Sequence, residues 1–104
     1  MTKVRATYVT FVYELDVFRV KDPSILKVRT DLVVEGVLVY VVPRTVKLES
    51  GWVPKITLAV SYAPSLLDEK AMSKLRNYLK QLRENGAELV EVSVVVSKLL
   101  HEGE

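Results

Sequence analysis

The sequence predicts an α+β fold in which one helix packs on one face of a four-stranded sheet. Apolar and polar residues alternate along most of the chain, which is typical of half-buried strands. The spacing changes to that of a helix near residue 64 and returns to alternation near residue 88. We therefore expect the order β-β-β-α-β, with an antiparallel three-stranded meander followed by a β-α-β crossover.

Turn and cap residues set the limits of these elements. The expected elements are strands at about 4–20, 25–42, 52–62 and 88–97, a turn at 21–24 and a helix at about 66–85. Pro23 presets the backbone of the turn, so the first two strands should pair as a hairpin that places Tyr13 opposite Leu32. Ser65 is the expected N-cap of the helix, and Gly86 is a typical helix stop.

The position of the fourth strand is open. The crossover makes it parallel to the third strand, but it can lie beside the third strand or beside the first. In both arrangements the helix covers one face of the sheet, called the inner face. The opposite face, called the outer face, then has no cover within this chain.

Length and composition indicate one domain, residues 1–104, with residues 98–104 as a frayed tail. Of the 104 residues, 49% are hydrophobic, which argues against global disorder. No terminal segment has the pattern of a signal peptide, and no apolar run is long enough for a membrane-spanning helix. We expect a cytoplasmic protein that does not enter a membrane.

The composition also predicts a hyperthermophilic source. Charged residues make up 27% of the chain, whereas the heat-labile side chains of asparagine, glutamine, cysteine and methionine are scarce. A melting midpoint below about 70 °C would contradict this hypothesis.

The run at 32–42 carries apolar side chains on both faces of the expected second strand. On the outer face these side chains form, with two residues of the first strand, a larger apolar patch than monomers usually expose. We therefore expect a homodimer or another protein partner to cover this face. A bent hairpin that shields the patch is the alternative. The predicted interface residues are Tyr8, Val12, Val33, Val37, Val39 and Val41.

A second hypothesis is a single-stranded nucleic-acid-binding protein that uses the long hairpin. Such proteins combine a cationic groove with aromatic stacking platforms, and the hairpin contains both residue types. The formal net charge of +2 does not require such a partner, and the basic residues are diffuse. The candidate nucleic-acid contacts are Arg5, Arg19, Lys21, Lys27, Arg29, Arg44 and Lys47.

The sequence contains no catalytic motif, no phosphate-binding glycine loop and no cysteine. We expect no catalytic residue, no cofactor and no bound metal. His101 is the only histidine, and near the end of the chain we expect it to be solvated. Glu35 stands inside the apolar run, so a third hypothesis is a small enzyme or ligand-binding protein. Its site would lie at a subunit interface around Glu35, Tyr8 and Trp52.

Overall fold

The computed structural model describes residues 5–98, which form one sheet with a long helix on one face. The strands are β1 (Arg5–Asp16), β2 (Leu38–Leu48), β3 (Gly51–Tyr62) and β4 (Glu88–Lys98), and the helices are α1 (Thr30–Val33) and α2 (Glu69–Glu84). Short 3-10 turns cover Val17–Arg19, Pro23–Leu26 and Pro64–Leu66. The predicted α+β class is confirmed, as are the four-stranded sheet and its one long helix.

The strands lie in the order β2-β3-β1-β4, and each neighbouring pair is antiparallel. β4 therefore lies beside β1. It runs in the same direction as β3, as the crossover through α2 requires, with β1 between the two. β1 and β2 are likewise parallel to each other, with β3 between them. This is the strand order of the ferredoxin-like fold, with its first helix reduced here to short turns and α1.

The predicted pairing of the first two strands is wrong, and the meander therefore does not form in that order. β1 pairs with β3, where Tyr13 lies opposite Leu58, and with β4, where Tyr13 lies opposite Leu89. β2 pairs with β3. The physical reason is that the segment after β1 is not extended, so no tight turn joins β1 to β2.

The predicted second strand begins only at Leu38, because residues 17–36 turn repeatedly. These residues are called the connector. The Asp16 carboxylate accepts a hydrogen bond from the Phe18 amide at 2.9 Å, which ends β1. After α1 the backbone of Gly36 has φ of +92°, a conformation that favours glycine. The hydrogen bond at Asp16 and the conformation of Gly36 therefore keep residues 17–36 from forming the extended strand that their alternating pattern predicts.

The core lies between the inner face of the sheet, α2 and the connector. α2 begins after Asp68, whose carboxylate accepts a hydrogen bond from the Ala71 amide at 2.7 Å. The N-cap is therefore Asp68 and not the predicted Ser65. The core residues are Tyr13, Leu15, Ile25, Leu32, Val37, Ile56, Leu58, Val60, Tyr62, Leu75, Tyr78 and Leu82.

Asn85, at the end of α2, fastens the helix to the connector. Its side chain is buried, and its Oδ1 accepts hydrogen bonds from the amides of Lys21 and Asp22 at 2.8 and 2.6 Å. Its Nδ2 donates to the Gln81 carbonyl at 2.8 Å. Gly86 follows with φ of +82°, so the predicted helix stop is confirmed.

β4 extends to Lys98, one residue into the predicted tail. His101 lies outside the described residues. Between residues 5 and 98, no helix has both the length and the apolar character needed to cross a membrane.

Candidate association surface

The outer face of the sheet carries an uncharged region, called the uncharged half, and a charged region next to it, called the charged half. The uncharged half consists of Tyr8, Thr10 and Val12 on β1, Leu38, Tyr40 and Val42 on β2, Ala59 and Ser61 on β3, and Ser93 and Val95 on β4. Glu91 marks its border on β4. The charged half consists of Glu14, Asp16, Arg44, Lys55 and Glu88. Beyond the charged half, the ends of β2 and β3 add Val46, Leu48 and Val53.

The most exposed part of the uncharged half is a row of apolar side chains along β2. Leu38, Tyr40 and Val42 are 44%, 57% and 52% exposed. Tyr40 lies opposite Ala59 on β3, which has only a small side chain. Large apolar side chains that stand side by side on an open sheet face are typical of an interaction surface.

The polar groups at the centre of the uncharged half satisfy each other. The Thr10 and Ser61 hydroxyl oxygens are 3.0 Å apart across the β1–β3 pair and share a hydrogen bond. A hydroxyl that keeps its hydrogen-bond partner loses less free energy when water is removed from it. This part of the face can therefore be covered at a low desolvation cost.

The charged half is held together by ion pairs and hydrogen bonds across the strands. The Lys55 ammonium lies 2.8 Å from the Glu14 carboxylate, and this hydrogen bond raises the pKa of Lys55. Arg44 donates to the Thr57 hydroxyl at 3.4 Å. Solvent screens such pairs, so they contribute little stability. Beside an apolar patch they provide the polar rim that protein interfaces commonly have.

Two of the predicted interface residues, Tyr8 and Val12, lie on the outer face, and both are half-buried. Val33 ends α1 and is 44% exposed, so it belongs to the connector and not to the sheet.

For the other three predicted interface residues the predicted face is wrong. Val37 is fully buried in the core, and Val39 and Val41 lie on the inner face, packed against the core. A shift of one residue moves every side chain of a strand to the other face. Because α1 and Gly36 interrupt the run, the alternation has to be counted from Leu38. That count would have placed Leu38, Tyr40 and Val42 on the outer face.

The basic residues predicted to contact nucleic acid are spread over several elements of the chain. Arg5 begins β1, Arg19, Lys21 and Lys27 lie in the connector, and Arg44 and Lys47 lie on opposite faces of β2. Arg29 binds Asp31 through two hydrogen bonds of 3.0 and 2.9 Å, which lower the pKa of that carboxyl. Its guanidinium also lies 4.9 Å from the centre of the Tyr78 ring. Arg29 therefore holds the connector against α2.

The three residues of the third hypothesis do not come together. Glu35 pairs with Lys74 of α2 at 3.2 Å. Tyr8 lies beside the end of β3, whereas Trp52 lies at its beginning. Within residues 5–98, no three histidine, aspartate or glutamate side chains are grouped so that they could hold a metal ion.

A shallow depression of about 380 Å³ lies along α2 and is lined by Arg76, Asn77, Leu79, Lys80 and Arg83. Arg76 also faces Glu69 at 3.7 Å, and both side chains are largely exposed. All the lining residues belong to one helix, so we interpret the depression as part of a solvated helix face.

The fold and this surface define an α+β protein with ferredoxin-like strand order and an open, partly apolar sheet face. No protein-family model matches the sequence, and no curated protein matches it. A solved structure described as a Bacillus cereus protein related to NIF3 is similar, with a TM-score of 0.40 and 15% sequence identity. The alignment covers 97% of this chain and 27% of that chain.

Proposed function

We propose that the protein is a non-catalytic association module that works as a homodimer or in a small protein complex. The surface that forms the complex is the uncharged half of the outer face. The supporting observation is the row of Leu38, Tyr40 and Val42, three large apolar side chains exposed on the face that α2 leaves open. Burial of apolar surface is the main driving force of protein association.

The arrangement around this row fits an interface. Tyrosine is enriched among the residues that carry most of the binding energy at interfaces. Tyr40 stands at the middle of the row, and the paired hydroxyls of Thr10 and Ser61 lie on the same face of the two neighbouring strands. The ion pair of Lys55 and Glu14 borders the patch and can fix the orientation of a partner.

A pair of charge substitutions tests this proposal. Tyr40→Lys places a charge in the centre of the patch, and Val34→Lys places the same charge at an exposed connector position, which is 78% exposed. We expect Tyr40→Lys to weaken self-association at least about tenfold, which is about 1.4 kcal/mol, and Val34→Lys to leave it unchanged. Sedimentation equilibrium measures the association, and circular dichroism verifies that both variants fold. Equal association of the two variants would contradict the proposal.

Binding of single-stranded nucleic acid is a second candidate function, and one observation favours it. Trp52 is 66% exposed, and the Lys47 ammonium lies 5.9 Å from its ring centre. An exposed aromatic ring beside a cation can stack on a base next to a phosphate. Trp52 is the only tryptophan of the chain, so its fluorescence reports directly on an added oligonucleotide. Quenching that weakens as salt rises would support this function, and no quenching at low salt would remove it.

A further inference from the structure

The two edges of the sheet differ in how they are protected against pairing with another strand. The β2 edge carries Pro43 in its middle, where no backbone amide hydrogen is available, and the cations Arg44 and Lys47 follow. Proline and lysine on an edge strand are common devices against pairing between edges. The β2 edge is therefore protected.

The β4 edge is protected over its first half only. The register of β4 against β1 shifts at Val90, which forms a bulge between Leu89 and Glu91. A bulge and an acidic side chain both oppose pairing with another strand. The following residues 92–97 contain only valine and serine, and their pairing with β1 is regular. Half of this edge thus has no protection.

This unprotected half is apolar and exposed on both sides of the strand. On the inner face Val92, Val94 and Val96 are 52%, 64% and 63% exposed, because α2 covers the centre of the sheet and not this edge. On the outer face Val95 is 55% exposed. Within residues 5–98 no strand pairs with this side of β4. Long, uncharged edges of this kind pair readily with a strand of another chain.

We propose that β4 pairs with β4 of a second copy of this chain, antiparallel and around a two-fold axis at Val94. This inference rests on the self-association of the proposed function and adds to it a second contact, at the edge of the sheet opposite to the β2 row. Residues that lie directly opposite each other in a sheet must share a face, so a two-fold axis has to pass through a residue position. With the axis at Val94, each Val92 lies opposite a Val96, and the two Val94 side chains face each other. The three inner valines are thus matched by valines.

The neighbouring registers fit less well. An axis at Val95 would place Val92 opposite Lys98. An axis at Ser93 would place the bulged residue Val90 opposite Val96 and would require the disrupted half of the strand to pair. The axis at Val94 pairs residues 92–96 with one another, and of the three registers it alone places all three inner valines opposite valines without using the bulged residue. Self-complementarity of this kind is what a two-fold interface requires, and it favours a second copy over another partner.

This contact would also enlarge the surface of the proposed function. Val95 lies opposite Tyr8, and Ser93 lies opposite Thr10. The axis at Val94 therefore crosses β4 in the part of the strand that belongs to the uncharged half. A two-fold axis perpendicular to the sheet keeps both outer faces on the same side. The two uncharged halves then join across β4 into one surface, within a continuous sheet that contains both sets of four strands.

Disulfide trapping in this cysteine-free chain tests the contact and its register. In the proposed register the Cα atoms of the two residues at position 94 are about 4.5–5.5 Å apart, a distance that a disulfide can bridge. The two residues at position 95 are displaced by two residues along the strands and lie about 8 Å apart, which is too far. With an added thiol oxidant, we therefore expect Val94→Cys to form a covalent dimer and Val95→Cys to form little.

Each other outcome has a definite meaning. Trapping through Val95→Cys but not Val94→Cys would overturn the register. A dimer by sedimentation that neither cysteine traps would overturn the edge contact and leave association through the uncharged half in place. A monomeric wild-type chain would overturn both the inference and the homodimer of the proposed function.

A charge exchange at the axis gives an independent test that does not depend on oxidation. Val94→Lys places two ammonium groups against each other across the axis, and Val94→Glu does the same with two carboxylates. We expect each variant alone to associate more weakly than the wild type and an equimolar mixture of the two to associate more strongly than either variant. Because both variants take part in the mixture, its association would show that both are folded. A mixture that associates no more strongly than either variant alone would contradict the contact.

Discussion

The hydroxyl of Tyr78 donates a hydrogen bond to the backbone carbonyl of Ile25 at 3.1 Å, inside the core. Tyr78 is fully buried at the middle of α2, and Ile25 is buried in the connector. The connector has little regular structure of its own, so this bond holds it where the first long helix of a ferredoxin-like fold would pack. Loss of this bond therefore weakens the packing of the connector against the core.

We predict that Tyr78→Phe lowers the free energy of unfolding by about 1–3 kcal/mol, because the buried Ile25 carbonyl loses its partner. Urea denaturation at neutral pH measures this loss. Leu79→Met is a suitable control, since it changes a half-buried neighbour on α2 with little change in volume. An unchanged stability of Tyr78→Phe would show that the bond contributes nothing.

Tyr78 also makes the stability depend on pH in the alkaline range. Burial raises the pKa of Tyr78 from 10.0 to about 12. Below pH 10 the phenol is protonated in both the folded and the unfolded chain. Between pH 10 and 12 the unfolded chain loses this proton first, so the free energy of unfolding falls as pH rises, by roughly 2–3 kcal/mol in total.

Comparison with Tyr78→Phe isolates this effect, because burial also raises the pKa of Tyr13 and Tyr62. We expect the wild type to lose more stability between pH 10 and 12 than Tyr78→Phe does. Parallel pH profiles of the two proteins would contradict the assignment to Tyr78.

We predict that Asn85→Ala costs about 2–3 kcal/mol of stability, because two connector amides lose their shared acceptor in a partly buried place. Hydrogen exchange should become faster at the amides of Lys21 and Asp22. Asn77→Ala is the matched control on the exposed side of the same helix, and its effect should stay within about 0.5 kcal/mol. Unchanged exchange in Asn85→Ala would rule out this role of the asparagine.

Val37 and Val34 are two valines of the run at 32–42 that differ in burial, so they test which side chains of this run belong to the core. Val37 is fully buried, whereas Val34 is 78% exposed. We predict that Val37→Ala costs about 1–3 kcal/mol, since it leaves a cavity in the core, and that Val34→Ala costs less than about 0.5 kcal/mol. Thermal and urea unfolding of the two variants decide the point. Equal costs would contradict the placement of Val37 in the core.

We predict that the carboxylate of Glu35 has only a structural role and that its removal changes the free energy of unfolding little. Its ion pair with Lys74 is partly exposed, so Glu35→Gln should lower the free energy of unfolding by no more than about 1 kcal/mol. The difference from the wild type should shrink as salt rises, because the pair is screened. A stabilising effect of Glu35→Gln would instead suggest that the carboxylate is held for another purpose.

The sequence predicts the parts of this fold that local signals define. β3, α2 and β4 follow from alternation, helical spacing and the Asn85–Gly86 stop, and their limits agree with the structure within a few residues. The charged half of the outer face was also visible in the alternation of β1, through Glu14 and Asp16. These signals act over a few residues and need no knowledge of the partner strand.

The connector and the strand order could not be predicted in this way. A short apolar run fits a strand and a buried turn of helix equally well, so the sequence did not show that Leu32 lies in α1 and that the chain turns at Gly36 before Val37. β1 is apolar on its inner face from Val9 to Leu15, and this pattern fits β2, β3 or β4 as a neighbour. Val37, Val39 and Val41 were therefore assigned to the wrong face.

We propose that the unmodified chain associates with itself, and sedimentation velocity over a wide range of concentrations measures this association. The chain has a mass of 11.8 kDa. We predict a species of twice that mass, whose share rises with concentration and falls in Val94→Lys. A single species of 11.8 kDa at every concentration would contradict the claim.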